Sequence, residues 1–488
     1  MSWFRSFFGK YKILLILFGV ILAGFSFRIY RVEDYFGFDH DQDLFSWIVK
    51  DIIIEQHPRL IGQLTSIDGV FIGPLFYYLL VPFFALFGMN PLAAYIPVII
   101  IGLFTILSIY YTFNKIFGLS VALIASYLYA VSYPIVMIDR WVVPTQPVFL
   151  WSVWFLYCLF SILMGNLKVI PILGLLLGLI WHIHIGLLPL VILIVVVLYL
   201  SRKKIEIRQF IYGSSLFLIG FLPYLIFEFR HGFSQTKSLF QTINMSGGID
   251  KTAKLFGAVS GIEMKFFNIF FPYINLPYLV SLFLFLGLLY YVFRKSYINK
   301  HQIVVILGWF GILAIGHILS SRPVSQYYFN SLVAVSLIPI SFLLKDLYKR
   351  TPVLIILFLT FTFINSVLLL ASEGLHKFGY RNKKLIAEYI KNDVQKNKYK
   401  CISVDYIAPY GTGVGFRYLI WWNNINLIKK TAGIPEYKIA IPIPSTFKGL
   451  DKRYGAVGVI KPKGGNYKDW DKCDDKNNKP DKLLGFTS

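Results

Sequence analysis

Eleven apolar runs, each close to the length of one membrane crossing, constrain this chain more than any other feature. They occupy residues 11–27, 92–113, 118–138, 143–164, 168–183, 185–200, 209–227, 276–293, 302–320, 324–344 and 352–371, and about 17–25 such residues span a bilayer as a helix. With 56% hydrophobic and 15% charged residues and a mean hydropathy of +0.63, the composition lies outside the soluble globular range. The predicted fold class is a polytopic α-helical membrane protein with about eleven transmembrane helices.

The formal net charge of +23 would suit nucleic acid in a soluble chain. Here the basic residues are expected in cytoplasmic loops, where they set orientation and meet anionic membrane lipids, so no nucleic-acid partner is predicted. One more apolar stretch, 74–88, decides the topology. If it does not cross and the amino terminus is cytoplasmic, then Lys115, Lys168, SRKKIEIR (201–208), FRKSYINK (293–300) and KDLYKR (345–350) all face inward. If it crosses, these loops move outside while Arg5, Lys10 and Lys12 stay inside, against the positive-inside rule. Residues 74–88 are therefore expected to form a short broken juxtamembrane or re-entrant helix around Pro82. No small-residue cleavage site follows residues 13–27, which read as a retained first span.

This topology leaves residues 28–91 and 228–275 as outer loops of a transmembrane domain, 1–371, with the amino terminus cytoplasmic. HGFSQTKSLFQTI and AVSGIEMKFFNIFF, in the second loop, are candidate surface helices. From 372 the chain turns polar: KKLIAEYIKNDVQ (383–395) reads as a helix, and CISVDYI and IPEYKIAIPIP as strands. Residues 372–460 are thus expected as a small extracytoplasmic α/β domain, and 461–488 as a polar tail. Three cysteines form no framework and no metal spacing; a Cys401–Cys473 disulfide is left open.

Ionisable side chains are costly inside a span, and here they gather where helices reach the outer face. Asp139 and Arg140 follow the third span, His182 and His184 the fifth, Glu228, Arg230 and His231 the seventh, and His317 and Arg322 flank the end of the ninth. Snorkelling accounts for any one of them. Their concentration on the face opposite the basic loops points to an outer cavity. In the first outer loop, FGFDHDQDLFSWIVKDI (36–52) places Asp39, Asp41 and Asp43 at the start of an amphipathic helix carrying Leu44, Phe45, Trp47, Ile48 and Ile52. Capping accounts for Asp39 or Asp41, and the helix dipole for Asp43.

The order of DQDLFSWIVKDI, HPRLIGQLTSIDGVFIGPLFYYLLVPFFALFGMNPLAAYIP and SYLYAVSYPIVMIDRWVVPTQPVFL resembles the polyprenyl-phosphate-sugar-dependent transferases of the GT-C class. These include the protein O-mannosyltransferases and the lipid A aminoarabinose transferase. The resemblance covers residues 11–231 best. It implies a GT-C-like catalytic domain that moves a sugar from a dolichyl or undecaprenyl phosphate to a protein, lipid or glycan acceptor at the outer face of the plasma membrane, with inversion. Asp41 matches the family's catalytic Asp, with Asp39 as its alternative. Arg140, Arg230, Arg322, His182 and His184 are the candidate donor-phosphate ligands, and Asp139, Tyr77 and Tyr78 the candidate cavity residues. The chemistry suits these residue types: a carboxylate takes the acceptor proton and cations hold the departing phosphate. The sequence assigns no cofactor. A divalent metal at the His182/His184 pair is the alternative, and the family's second acid has no close counterpart beyond Asp139.

IWWNNI (420–425) resembles the WWD motif of oligosaccharyltransferases, but Asn423 replaces the acid. Trp421 and Trp422 are expected as packing aromatics. The rival function is a transporter or lipid flippase, which would show paired broken helices and polar groups at mid-membrane. Neither is evident in the sequence.

Overall fold

The structure, a computed structural model, describes residues 2–244, 251–266, 268–270, 272, 276–319, 326–372, 376–409, 412–443, 447, 449–464 and 467–481. Its contacts divide the chain into two compact units. The first comprises residues 1–29, 59–76 and 97–371, and the second 30–58, 77–96 and 372–488.

The first unit is helical, as its apolar runs dictate. Among the described residues, five helices are long and apolar enough to cross a membrane: Tyr11–Ile29, Pro91–Phe117, Ile207–Arg230, Lys300–Leu319 and Pro352–Ser372. Shorter apolar helices include Val148–Leu163, Leu167–Ile183, Ile185–Ser201 and Leu279–Arg294. The chain is a multi-pass membrane protein. Glycines set the tightest helix contact: a Cβ on Gly174 would lie 2.0 Å from the Gly213 carbonyl oxygen, and one on Gly178 would lie 2.5 Å from that of Phe217. Small residues let helix backbones approach where lipid offers no hydrophobic drive.

The run at 118–138 is not one straight span. It breaks at Ser132 into Leu119–Val131 and Tyr133–Asp139, bent by 68°. Pro134 explains the break, because it has no N–H for the Ala130 carbonyl one turn back. Arg28 takes that carbonyl instead, its Nη1 donating at 3.1 Å. The Ser132 hydroxyl donates to the Ile269 carbonyl at 2.6 Å and fixes the corner to the segment that follows helix Lys251–Phe266. By contrast, residues 75–86 form one unbroken helix through Pro82.

The second unit holds a four-stranded sheet of order β1-β2-β4-β3: β1 Ser403–Ile407, β2 Glu436–Ala440, β3 Lys452–Tyr454 and β4 Val457–Ile460. β1 and β2 are parallel, and β4 pairs antiparallel with both β2 and β3. Helix Tyr380–Asn397 buries Ile386 and Ile390 in a core with Ile402, Tyr437, Ile439 and Val459. Residues 467–481 are tied back towards this sheet by the Cys401–Cys473 disulfide and by Lys429 N–H donating to the Asn478 carbonyl.

Candidate functional site

The acidic helix runs from His40 to Ile54 in the second unit, with Asp39 as its N-cap residue and the Gln42 side chain accepting from the Asp39 backbone N–H at 2.9 Å. An Asx residue followed three positions later by Gln is a strong start signal. The three aspartates then occupy three different environments. Asp39 is exposed and caps. Asp43 is 1% exposed, and its Oδ2 accepts from the Gly415 N–H at 3.0 Å. Burial pushes the Asp43 carboxyl up to about 6, against the pull of the Gly415 bond and the Lys383 charge. Asp41 keeps a third of its side chain exposed, with Oδ1 3.4 Å from His40 Nδ1.

Residues far along the chain build the floor of this helix. Phe38, just before it, is fully buried in the left-handed region with φ +52°, a conformation uncommon for a non-glycine residue. The buried Lys383 ammonium donates to the Phe38 carbonyl at 2.8 Å and lies 3.8 Å from Asp39 Oδ1. Burial lowers the Lys383 pKa, and Asp39 and Asp43 oppose that shift. Gly415 has φ +87°, and a Cβ there would meet the Phe38 ring at 2.7 Å, so glycine is required. Trp47 packs on Tyr418 and Trp421, and Trp422 Nε1 donates to the Gly88 carbonyl. The WW pair is therefore packing material. Of the two candidate cavity tyrosines, Tyr77 is buried and Tyr78 is 38% exposed.

In the first unit, several candidate ligands prove committed elsewhere. Asp139 is buried, ion-paired to Arg28 and bonded by Tyr129 Oη at 2.9 Å; it does not line an open cavity. Arg140 is 3% exposed, with Nη1 3.4 Å from the Phe27 carbonyl. His182 uses both ring nitrogens on backbone: Nδ1 accepts from the Leu75 N–H at 3.3 Å, and Nε2 lies 2.7 Å from the Gly220 carbonyl. A Cβ on Gly73 would lie 2.1 Å from that ring. His184 accepts from the Gly186 N–H and stacks beside Tyr328, which also faces His317. Glu228 caps the next helix, accepting from the Gln235 and Thr236 N–H groups at 3.0 and 2.9 Å. Arg230 is exposed, and Arg322 lies outside the described residues. Among the described residues, no group of three or more His, Cys, Asp or Glu side chains is arranged to hold a metal ion.

Besides Arg28 and Lys383, another buried cation escaped the sequence reading. Lys265, near the end of helix Lys251–Phe266, is 6% exposed, and no acid pairs with it among the described residues. Burial lowers its pKa to about 8. Its signal was in view as the lone charge in MKFFNIFF.

Residues 72–227 match the family model described as dolichyl-phosphate-mannose-protein mannosyltransferase. The chain is also similar to the crystal structure of ArnT from Cupriavidus metallidurans bound to undecaprenyl phosphate. The TM-score is 0.56 at 11% identity, covering 92% of this chain and 97% of that one. The apo state of the same protein gives a TM-score of 0.57 at 11% identity, covering 93% and 98%. No curated protein sequence matches the chain. The resemblance read from the sequence is borne out, and the fold is that of the GT-C membrane proteins.

Proposed function

We propose that this GT-C membrane protein is a glycosyltransferase that moves a sugar from a polyprenyl phosphate to a hydroxyl of a protein, lipid or glycan acceptor at the outer face of the membrane. In the reaction the acceptor oxygen bonds to the anomeric carbon and the bond from that carbon to the phosphate oxygen breaks. The acceptor proton passes to Asp41, and polyprenyl phosphate leaves. A single displacement of this kind inverts the anomeric centre. The observation that carries the reading is the division of labour in the acidic helix. Asp39 caps, Asp43 is buried on a backbone amide, and Asp41 alone of the three is part-exposed in the first turn. The helix dipole there favours the ionised carboxylate that a general base requires.

Lys265 is the foremost candidate for the donor phosphate, since no acid pairs with its buried ammonium among the described residues and such a group favours an anionic ligand; Arg140, Arg230 and Arg322 remain secondary candidates. His182 and His184 are better read as backbone supports. The topology that goes with this function has eleven spans, a cytoplasmic amino terminus, outer loops 28–91 and 228–275, and an extracytoplasmic α/β region after 372. The Cys401–Cys473 disulfide supports that sidedness, because disulfides persist in oxidising compartments.

The test is release of free polyprenyl phosphate by the purified protein from dolichyl-phosphate-mannose and from undecaprenyl-phosphate-linked sugars, each with and without a cell-envelope extract as acceptor. Acceptor-dependent release is the expected result. Movement of the intact lipid-linked sugar between leaflets without release would favour the flippase reading.

A further inference from the structure

The turn that launches the acidic helix is held from the carboxyl-terminal part of the chain. Phe38 sits in a left-handed conformation that a phenylalanine rarely adopts, so something must hold it there. Three contacts do. The Lys383 ammonium donates to its carbonyl at 2.8 Å, the Tyr380 N–H donates to the Phe36 carbonyl at 2.8 Å, and the Gly415 N–H reaches Asp43 within the first turn. The rings of Tyr380 and Tyr418 close on Phe38 edge-on, at centroid distances of 5.7 and 6.1 Å. Lys383 is fully buried, and charged lysine is almost never fully buried unless it is paired. Its nearest carboxylate is the capping Asp39 at 3.8 Å, so its placement is explained by the turn and not by the sheet.

We propose that Lys383 is a positioning residue for the catalytic step: by holding the Phe38 carbonyl it fixes the strained turn before the helix and thereby the direction in which Asp41 meets the acceptor. This rests on Asp41 being the base. It gives helix Tyr380–Asn397 a role in the reaction. The ion pair of Arg381 with Asp34, on the same helix but more than half exposed on the arginine side, serves as the comparison.

Lys383→Met, Lys383→Arg and Arg381→Gln are compared with the parent by amide hydrogen exchange and by turnover with polyprenyl-phosphate-mannose as probe. In Lys383→Met, exchange over residues 38–46 is expected to accelerate while β2 and β4 keep their protection. Its kcat is expected to fall about 10²-fold, the cost of a misplacement near 1 Å, with donor KM within about twofold of the parent. Lys383→Arg is expected to restore part of the rate, and Arg381→Gln to leave both readouts unchanged. Unaltered exchange over 38–46, equal loosening of the sheet, or a rise in donor KM alone would each overturn the role of Lys383. A parent protein that releases no polyprenyl phosphate overturns the reaction itself, and the exchange arm reports on the turn independently of it.

Discussion

Arg28 and Asp139 form an ion pair sealed inside the helical unit: Nε lies 3.0 Å from Oδ2, across 111 residues of sequence, and each side chain is 1% exposed. The same guanidinium takes the Ala130 carbonyl that Pro134 leaves without a donor, so one side chain both neutralises an acid and closes the break in the third apolar run. Removing one partner strands a buried charge, at a cost of about 3–5 kcal/mol. Arg28→Met and Asp139→Asn should each lower the melting temperature sharply in detergent. The Arg28→Met/Asp139→Leu double variant should recover much of the loss. Single variants melting with the parent would show that the pair carries no structural weight.

That pair also marks where sequence reasoning stops. The apolar runs were legible because hydropathy is local, and Pro134 was in plain view. Its consequence was not legible, since the bend depends on a cation supplied from the first helix. The capping of the acidic helix was legible as Asp39 with Gln42. The burial of Asp43 was not, because its partner Gly415 lies 372 residues away. His182 looked like a ligand for the same reason: nothing local reveals that Leu75 and Gly220 occupy both its nitrogens.

Asp43 predicts a pH dependence of unusual sign for a carboxylate. Its pKa in the fold is raised to about 6 by burial, whereas an unfolded Asp titrates near about 3.9. Between these values the native state binds more protons than the unfolded state. Stability from this group is therefore highest below about pH 4, falls as pH rises towards about 6, and is flat above, at up to about 1.4 kcal/mol per pH unit. Asp43→Asn, which keeps an acceptor for Gly415, should remove that slope and leave the protein as stable as the parent, or more so, at pH 7. Parallel melting curves for parent and variant from pH 4 to 7 would count against the buried carboxyl.

Lys265 should matter to the donor and little to the fold. Among the described residues no acid pairs with the buried Lys265, so its charge adds nothing to the fold without a ligand, and Lys265→Met is expected to retain or raise thermal stability. Its KM for a polyprenyl-phosphate-sugar donor should rise by about tenfold, the equivalent of one charge-assisted hydrogen bond. The affinity for polyprenyl phosphate itself, read by competition, should weaken in step. If both constants stay at the parent's values, Lys265 does not bind the phosphate.

The sidedness is open to direct labelling. In a cysteine-free background, single cysteines at Lys203 and Ser296 should react with an impermeant maleimide only after the cytoplasmic side is opened, and one at Leu450 without opening. In the unaltered chain, denaturation alone should reveal one thiol, from Cys158, and denaturation with reductant three, because Cys401 and Cys473 are joined. Reaction of positions 203 and 450 from the same side would refute the eleven-span arrangement.

The three aspartates of the acidic helix allow the base to be told apart from the cap. Replacing Asp39 by Asn keeps a competent N-cap, since Asn and Asp cap about equally well, and should change stability little. Replacing Asp41 by Asn removes a first-turn charge worth about 0.3–1 kcal/mol to the helix dipole, too little to unfold a domain anchored by Asp43 and Lys383. Loss of a general base, in contrast, lowers the rate about 10²- to 10⁴-fold. Asp41→Asn should therefore express and melt like the parent, bind polyprenyl phosphate normally and lose most transfer, while Asp39→Asn stays active. Asp39→Asn inactive with Asp41→Asn active would move the base two residues earlier, to the N-cap beside Lys383. Activity in both would remove this helix from the chemistry.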